Sequence, residues 1–154
     1  MNKDIVHCAV GLLARREHSH KEIFQKLLKR EFSPDDIDPV IHYLIEKNYL
    51  SDERFADCIF RSRVNKGYGW HYIQNELQHK GVSTFIINQL YKNSEIDWYL
   101  QAELAYNKRF GRSVIGNKQV HHKGNVKEKA KRMRFLQYRG FSTEQIMVIL
   151  SPDS

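Results

Sequence analysis

Three copies of one sequence pattern run through the chain, and this repeat limits the possible folds more than any other feature. The copies occupy residues 23–37, 73–87 and 132–146, offset by 50 and 59 residues. In each copy the fifth residue is leucine and the ninth is Gly or Glu. The tenth residue is apolar and the eleventh is serine. Such a repeat predicts tandem units of supersecondary structure that pack on their neighbours.

Each copy predicts a helix, a tight turn and the start of a second helix. The residues before the turn are apolar at helical spacing, as Ile23, Phe24 and Leu27 show in the first copy. Gly81 and Gly140 stand where that helix ends, because glycine enters the left-handed conformation at low cost. A serine then occupies the N-cap position of the next helix in each copy, namely Ser33, Ser83 and Ser142.

The helix after the turn carries an apolar stripe with spacings of three and four residues. Pro39 lies inside this stripe in the first copy, so the helix there is expected to start late or to bend. In the third copy, Ser142 and Gln145 have the spacing of a capping box. The stripe of the first copy consists of Ile37, Val40, Ile41, Leu44 and Ile45.

A further helix opens each unit. The predicted ranges are 5–16, 53–65 and 98–110, and Asp52 and Asp97 are the expected N-caps of the second and third of these helices. No stretch alternates apolar and polar residues for long enough to predict a strand. The sequence therefore predicts three helices in each unit.

The predicted fold is all-α, with three tandem three-helix repeats that form an elongated, curved helical body. The repeats are expected at residues 1–52, 53–96 and 97–154, and the third is expected to contain a mobile basic loop at 111–124. Cys8 and Cys58 are also 50 residues apart. We interpret them as equivalent small core residues rather than as a redox pair.

The net charge of +7 lies almost wholly in the last third of the chain. Residues 98–154 hold 11 basic and 4 acidic side chains, whereas residues 1–52 hold 8 and 9, and residues 53–97 hold 6 and 5. Such a localised excess favours binding to an anionic partner, since charge that serves solubility can be scattered. A solvated helix face is the other interpretation of the basic run.

No part of the sequence is suited to cross a membrane. The longest apolar run has seven residues, at 8–14, whereas a membrane span needs about 20. The first residues lack the hydrophobic core of a signal peptide, and two cysteines are too few for a disulfide scaffold. We therefore expect a soluble protein of the cytoplasm.

The segment 61–70 combines basic, aromatic and glycine residues and has two interpretations. Its cations can contact phosphate while Tyr68 or Trp70 stacks on a base. Alternatively, Gly67 ends a helix and the two aromatic rings pack between helices, which is the interpretation that we favour. The cations of this segment are Arg61, Arg63 and Lys66.

The pattern of helix, turn and helix also resembles a DNA-binding motif. Residues 84–91 and 143–150, which would form the recognition helices, contain no Lys or Arg to read base edges, so sequence-specific binding is not expected. The basic side chains precede the turn instead. Lys127, Lys131 and Arg134 are spaced to share one helix face, which suits a phosphate backbone or an acidic groove on a protein.

The sequence contains no evident catalytic constellation, and we expect no enzyme activity, metal or cofactor. The histidine pairs at 18/20 and 121/122 lack the spacing of a helical metal-binding pair. Helix capping explains the aspartates at 35, 36 and 38 better than a metal loop does. Neither cysteine has an evident activating partner.

Four linked motifs resemble the RecX family. They are Tyr-Leu-Ser-Asp-Glu-Arg-Phe-Ala at 49–56, Lys-Gly-Tyr-Gly at 66–69, the residues around Glu76-Leu77 at 73–82, and Lys131-x3-Phe-Leu-x2-Arg-Gly-Phe at 131–141. The resemblance extends from about residue 5 to residue 150. The chain departs from the pattern at Glu31, where the other copies have glycine, and in the long loop of the third repeat.

The resemblance implies a regulator that binds the bacterial recombinase RecA on DNA, and we expect this chain to be a monomer. Such a regulator lodges in the filament groove, lowers ATP hydrolysis and strand exchange, limits filament growth, and so acts in DNA repair, recombination and the SOS response. The charge gradient leads us to expect that repeats two and three contact RecA or DNA, single- or double-stranded and without sequence specificity. The alternative is a standalone nucleic-acid-binding helical module with no protein target. The expected contact residues are Arg61, Arg63, Lys66, Lys80, Lys127, Lys131, Arg132, Arg134 and Arg139.

Overall fold

A computed structural model describes residues 1–111 and 122–151. Within these ranges the chain forms nine helices and no strand, so the prediction of an all-α repeat fold is confirmed. The helices are α1 (Lys3–Arg15), α2 (His20–Lys29), α3 (Pro34–Glu46), α4 (Asp52–Asn65), α5 (Trp70–His79), α6 (Thr84–Asn93), α7 (Trp98–Phe110), α8 (His122–Tyr138) and α9 (Thr143–Leu150).

The turn inside each copy of the repeat has the same geometry. Gly81 and Gly140 have φ of +83° and +96°, and Glu31 adopts φ of +69° at the equivalent position. Each following serine caps the next helix through its side-chain oxygen, as predicted. Ser142 and Gln145 form the expected capping box at α9. The recurring sequence pattern therefore corresponds to a recurring helix–turn–helix structure.

Three predictions about the helices need correction. Ser51 caps α4 by accepting from the N–H of Arg54 (3.2 Å), while Asp52 is already helical and accepts from the N–H of His20 (2.7 Å). Of the two outcomes expected for the helix that contains Pro39, the late start is wrong, because the helix begins at Pro34, whose missing N–H is harmless in the first turn; the bend stays a prediction. Cys58 is exposed and is not a core residue, whereas Cys8 is half-buried.

The described chain divides into two compact units. The first comprises residues 1–60 and 76–94, and the second comprises residues 61–75 and 95–151. Helices α1, α2 and α3 enclose the main core of the first unit. Its fully buried side chains are Ile5, Ala9, Ile23, Leu27, Ile37, Val40 and Leu44.

The core of the second unit lies between α7, α8 and α9. Leu136, at the position of Leu27 and Leu77 in the repeat, has no exposed surface. Around it pack the small residues of α7 and the first apolar residues after the turn. The members of this core are Ala102, Ala105, Leu136, Phe141, Ile146 and Leu150.

The predicted loop at 111–124 is described only at its two ends. Gly111 ends α7 with φ of +62°, and α8 begins at His122, so residues 122–124 are helical rather than loop. The rest of the predicted loop, at 112–121, lies outside the described residues. The repeat boundaries at 52 and 96 stay a prediction.

The start of one helix docks on the end of another in the same way in both units. In the first unit, Ser19 before α2 donates from its hydroxyl to the carbonyl of Lys80 at the end of α5 (2.7 Å). In the second unit, the N–H of Gly69 before α5 donates to the carbonyl of Arg139 at the end of α8 (2.7 Å). Ser19 and Gly69 are 50 residues apart, and Lys80 and Arg139 are 59 apart, so these junctions occupy equivalent positions in the repeat.

A buried carboxylate lies beside the junction of the first unit. Glu22 is 8% exposed and accepts from Arg16 (2.9 Å) and from the N–H of Ser19 (3.1 Å), with the Lys80 ammonium 3.4 Å away. Burial alone would raise the pKa of Glu22, but the hydrogen bonds from Arg16 and Ser19 outweigh it and lower that pKa to about 2. Glu22 is therefore ionised at neutral pH.

Candidate functional site

A groove of about 490 Å³ opens on the second unit and has a basic rim. The end of α4, one side of α7 and the end of α8 form its walls. Among the described residues that line it, none is acidic, so its potential is positive. We call it the basic groove, and its cations are Lys66, Lys108, Arg109 and Arg139.

Lys108 and Arg109 project from the last turn of α7 and are both exposed. A cation is favourable there because the C-terminal carbonyl groups of a helix carry partial negative charge. The Arg109 guanidinium lies 5.3 Å from the ring centroid of Phe110. The end of α7 thus presents two adjacent positive charges to solvent at the mouth of the groove.

Arg139 is held in place at the rim by three contacts. Its guanidinium donates to the carbonyl of Lys66 (2.9 Å) and lies 4.6 Å from the ring centroid of Tyr68 and 5.3 Å from that of Phe135. Tyr68 in turn stacks on Tyr72, with ring centroids 4.1 Å apart. Arg139 therefore fixes the end of α4 and contributes positive charge from a defined position.

The floor of the groove is apolar. Leu104 is 57% exposed although it lies in the middle of a helix, and Ala105, Phe135 and Val64 lie beside it. Gln101 donates from its side chain to the carbonyl of Val64 (2.7 Å) at the end of α4. An apolar floor inside a positive rim can take a nucleobase with its phosphate, or an acidic segment with an apolar side chain.

A second basic surface lies on α8. Lys127, Lys131 and Arg134 are all exposed, and their spacing places them on one helix face. We call this set the α8 stripe. Its charges are suited to a phosphate backbone, which carries negative charge at regular intervals.

Arg132 does not belong to that stripe, because its side chain is buried. It is 5% exposed and donates to Glu128 (2.8 Å) and to the hydroxyl of Tyr106 (2.7 Å). Burial alone would lower the pKa of Arg132, but these two hydrogen bonds outweigh it and raise the pKa further. The hydrogen bond that Glu128 accepts from Arg132 lowers the pKa of Glu128. Arg132 therefore holds α8 against α7, and we leave it out of the candidate site.

The remaining predicted site residues are spread over both units. Arg61 is exposed and Arg63 half-buried, both near the end of α4 in the second unit. Lys80 lies in the first unit, beside Glu22, and does not line the basic groove. Lys66 and Arg139 are in contact within the second unit, whereas Lys80 belongs to the first unit.

The turn at 66–70 has the structural role that we favoured from the sequence. Gly67 ends α4 with φ of +87°, and Trp70 packs against Trp98 with ring centroids 6.0 Å apart. The sequence interpretation did not single out Lys108 and Arg109. Their signal was present, since both fall in the last turn of a predicted helix within the most basic stretch of the chain.

Within the described part of the chain, no group of three or more His, Cys, Asp or Glu side chains could hold a metal ion. None of the helices described is both long and apolar enough to span a membrane.

The fold and the basic surfaces define a class of protein, an all-α repeat protein with exposed cationic surfaces. The first, second and third three-helix domains of RecX match residues 7–44, 51–90 and 117–150. The chain belongs to the RecX family.

Two relatives illustrate the similarity. The chain is 37% identical over 138 residues to "Regulatory protein RecX" of Halorhodospira halophila, with 90% of this chain and 81% of that protein covered. It is 40% identical over 143 residues to the protein of the same name from Vibrio parahaemolyticus, with 93% and 87% covered.

Two solved structures have the same fold. The crystal structure of RecX from Lactobacillus salivarius superposes with a TM-score of 0.74 at 19% identity, covering 97% of this chain and 94% of that one. A second crystal structure, of regulatory protein RecX, gives a TM-score of 0.72 at 17% identity, covering 97% and 74%.

Proposed function

We propose that this chain binds the RecA–DNA filament and restrains RecA in DNA recombination, DNA repair and the SOS response. It acts in the cytoplasm as a monomer and lowers ATP hydrolysis, strand exchange and filament extension. The main observation in support of this proposal is that the second unit presents two positive surfaces, the basic groove and the α8 stripe. They suit the phosphates of filament DNA or acidic protein surface.

The repeat architecture supports a filament as the partner. A polymer offers the same contact many times, and a chain of repeats carries several separate contact surfaces. Once one surface is bound, the effective concentration at the next contact is high, so weak contacts add to a strong one. The chain acts by binding and performs no chemistry of its own.

A standalone nucleic-acid-binding module is the second candidate. The apolar floor around Leu104 and Phe135, surrounded by cations, suits stacking of a base with contact to its phosphate. This candidate predicts tight DNA binding that depends steeply on salt and is indifferent to RecA.

The experiment is a titration of RecA's ATP hydrolysis on single-stranded DNA, with this chain added from far below RecA up to equal concentration. Inhibition at a small fraction of the RecA concentration supports the proposal, since few molecules then act at filament ends or sparse sites. Inhibition only when the chain saturates the DNA supports the nucleic-acid-binding module. No inhibition at any ratio overturns the proposed regulation.

Charge-reversal variants show whether the α8 stripe carries the contact. Lys127→Glu, Lys131→Glu and Arg134→Glu together should abolish most of the filament affinity and its salt dependence. A matched control changes the same number of exposed lysines in the first unit, Lys3, Lys29 and Lys47, to Glu. Equal loss in both triple variants would mean that net charge alone, not the stripe, sets the affinity.

A further inference from the structure

The second repeat exposes an aromatic side chain where the other repeats carry an acid. Phe85, in the first turn of α6, is 70% exposed. The repeat offsets place it at the position of Asp35 in α3 and of Glu144 in α9. Acids are favourable in that first turn because the N-terminus of a helix carries partial positive charge. The second repeat therefore lacks a stabilising charge and has an exposed ring in its place.

Phe85 lies at the edge of a surface groove in the first unit. The groove has a volume of about 390 Å³ and lies between α4 and α6, with Ile86 and Leu90 beside Phe85. Its charged lining residues are Glu53 and Asp57, both on α4. We call it the acid-rimmed groove.

A second groove of about 390 Å³ continues this surface. It shares Glu53 and Ile86 with the first and adds Ile45, which is 46% exposed, and Asp52. Among the described residues that line the two grooves, none is Lys or Arg, and His20 is the one histidine. The surface thus combines apolar side chains with acidic ones, and its charge is opposite to that of the basic groove.

We propose that the acid-rimmed groove binds a protein segment that presents an apolar side chain flanked by Lys or Arg. The apolar side chain contacts Phe85, Ile86 and Leu90, and a flanking cation faces Glu53, which lines both grooves. Carboxylates at the rim repel phosphate, so charge complementarity favours a basic protein segment over nucleic acid. An exposed ring beside an aliphatic groove provides the apolar contact area on which protein interfaces depend.

This inference rests on the proposed function, because the RecA filament is the protein partner on which it is tested. The first measurement is the affinity of the full chain for RecA assembled on single-stranded DNA. Phe85→Glu restores the acid of the other repeats at an exposed position, so its melting temperature should equal or exceed that of the unchanged chain. Its affinity for the filament should fall at least tenfold.

Two further variants make the test specific. Glu53→Lys should also weaken filament binding several-fold, and its effect should shrink as salt is raised. Val10→Glu places the same charge at a 41% exposed apolar position on α1, outside both grooves, and should bind like the unchanged chain. Affinity for DNA alone should be the same in all these variants.

The outcomes separate the two proposals. Failure of the unchanged chain to bind the filament overturns the proposed function and this inference with it. Normal filament binding by Phe85→Glu overturns only the inference. Loss of self-association in Phe85→Glu, with filament binding retained, would assign the groove to a second copy of the chain and also overturn it. Phe85→Ala provides the same comparison without the added charge.

Discussion

The hydroxyl of Ser19 donates a 2.7 Å hydrogen bond to the backbone carbonyl of Lys80, at the end of α5. The same hydroxyl accepts from the N–H of Glu22 (3.1 Å), so one side chain caps α2 and also joins α2 to α5. In the second unit, the backbone N–H of Gly69 replaces that hydroxyl as the donor to Arg139. One junction thus depends on a side chain, and the other depends on the close approach of two backbones.

The close approach in the second unit predicts a severe effect of Gly140→Ala. Gly140 has φ of +96°, and a Cβ there would collide with the backbone nitrogen of Tyr72. Positive φ and the collision together should cost about 3 kcal/mol of unfolding free energy, measured by urea denaturation. Gly11→Ala is the control, because nothing lies within 4 Å of its Cβ. It should stabilise α1 by about 0.5–1 kcal/mol, and equal stabilities of the two variants would contradict the junction geometry.

Glu31→Gly should stabilise the chain. Glu31 is exposed, yet its φ is +69°, a conformation that favours glycine. The hydrogen bond from Phe32 N–H to Leu27 that closes this turn is 3.4 Å long. We expect a gain of about 1 kcal/mol in unfolding free energy. Asn48→Gly, at φ of +61°, should gain less because asparagine tolerates this conformation. A larger gain at Asn48 than at Glu31 would contradict this explanation.

Much of the fold was predictable because the repeat pattern marks the core. Ile23, Leu27 and Ile37 and their equivalents in the second copy are all buried. The pattern marks positions that are buried, however, and does not require that the side chain there is apolar. Arg132 occupies the repeat position of Ile23 and is buried, whereas its charge predicts a contact with an anionic partner. Equivalent repeat positions also differ in burial, since Cys58 is exposed at the repeat position of half-buried Cys8.

The candidate site was predictable as a charge distribution but not as a groove. The excess of Lys and Arg in the last third of the chain indicated where an anion would bind. The groove brings together Lys66 and Arg139, which are 73 residues apart in the sequence and are joined by a hydrogen bond. Contacts between such distant residues depend on how helices pack, which the local sequence pattern does not specify.

Acidification should destabilise the chain through Glu22. Because the pKa of Glu22 is lowered to about 2 from 4.5, its ionised form stabilises the folded state. That stabilisation is complete above about pH 4.5 and is lost as the pH falls toward 2. By linkage it amounts to at most about 3 kcal/mol. Glu22→Gln should lower the unfolding free energy at pH 7 and make it depend less on pH below about pH 4.5. The unfolding free energies of the variant and the unchanged chain should therefore converge near pH 2. Parallel curves would contradict this assignment.

Substitution of Arg132 should lower the stability of the fold, whereas substitution of Arg134 should weaken DNA binding and leave stability nearly unchanged. Arg132→Ala removes the bonds to Glu128 and Tyr106 and leaves a cavity beside Phe110, which lies 4.7 Å from the guanidinium. It should cost about 2–4 kcal/mol in urea denaturation. Arg134→Ala, at an exposed position of the α8 stripe, should change stability by less than about 0.5 kcal/mol and should weaken DNA binding. Similar unfolding curves for the two variants would contradict the buried role of Arg132.

Lys108 and Arg109, which are not among the contact residues expected from the sequence, should contribute to binding of single-stranded DNA. Both are exposed at the mouth of the basic groove. Lys108→Gln with Arg109→Gln should lower the salt dependence, the slope of log K against log salt, by about 1.4 if both contact phosphate. Lys29→Gln with Lys47→Gln removes the same charge from exposed positions of the first unit and should leave the slope unchanged. An equal change of slope in both pairs would mean that the groove has no specific part in DNA binding.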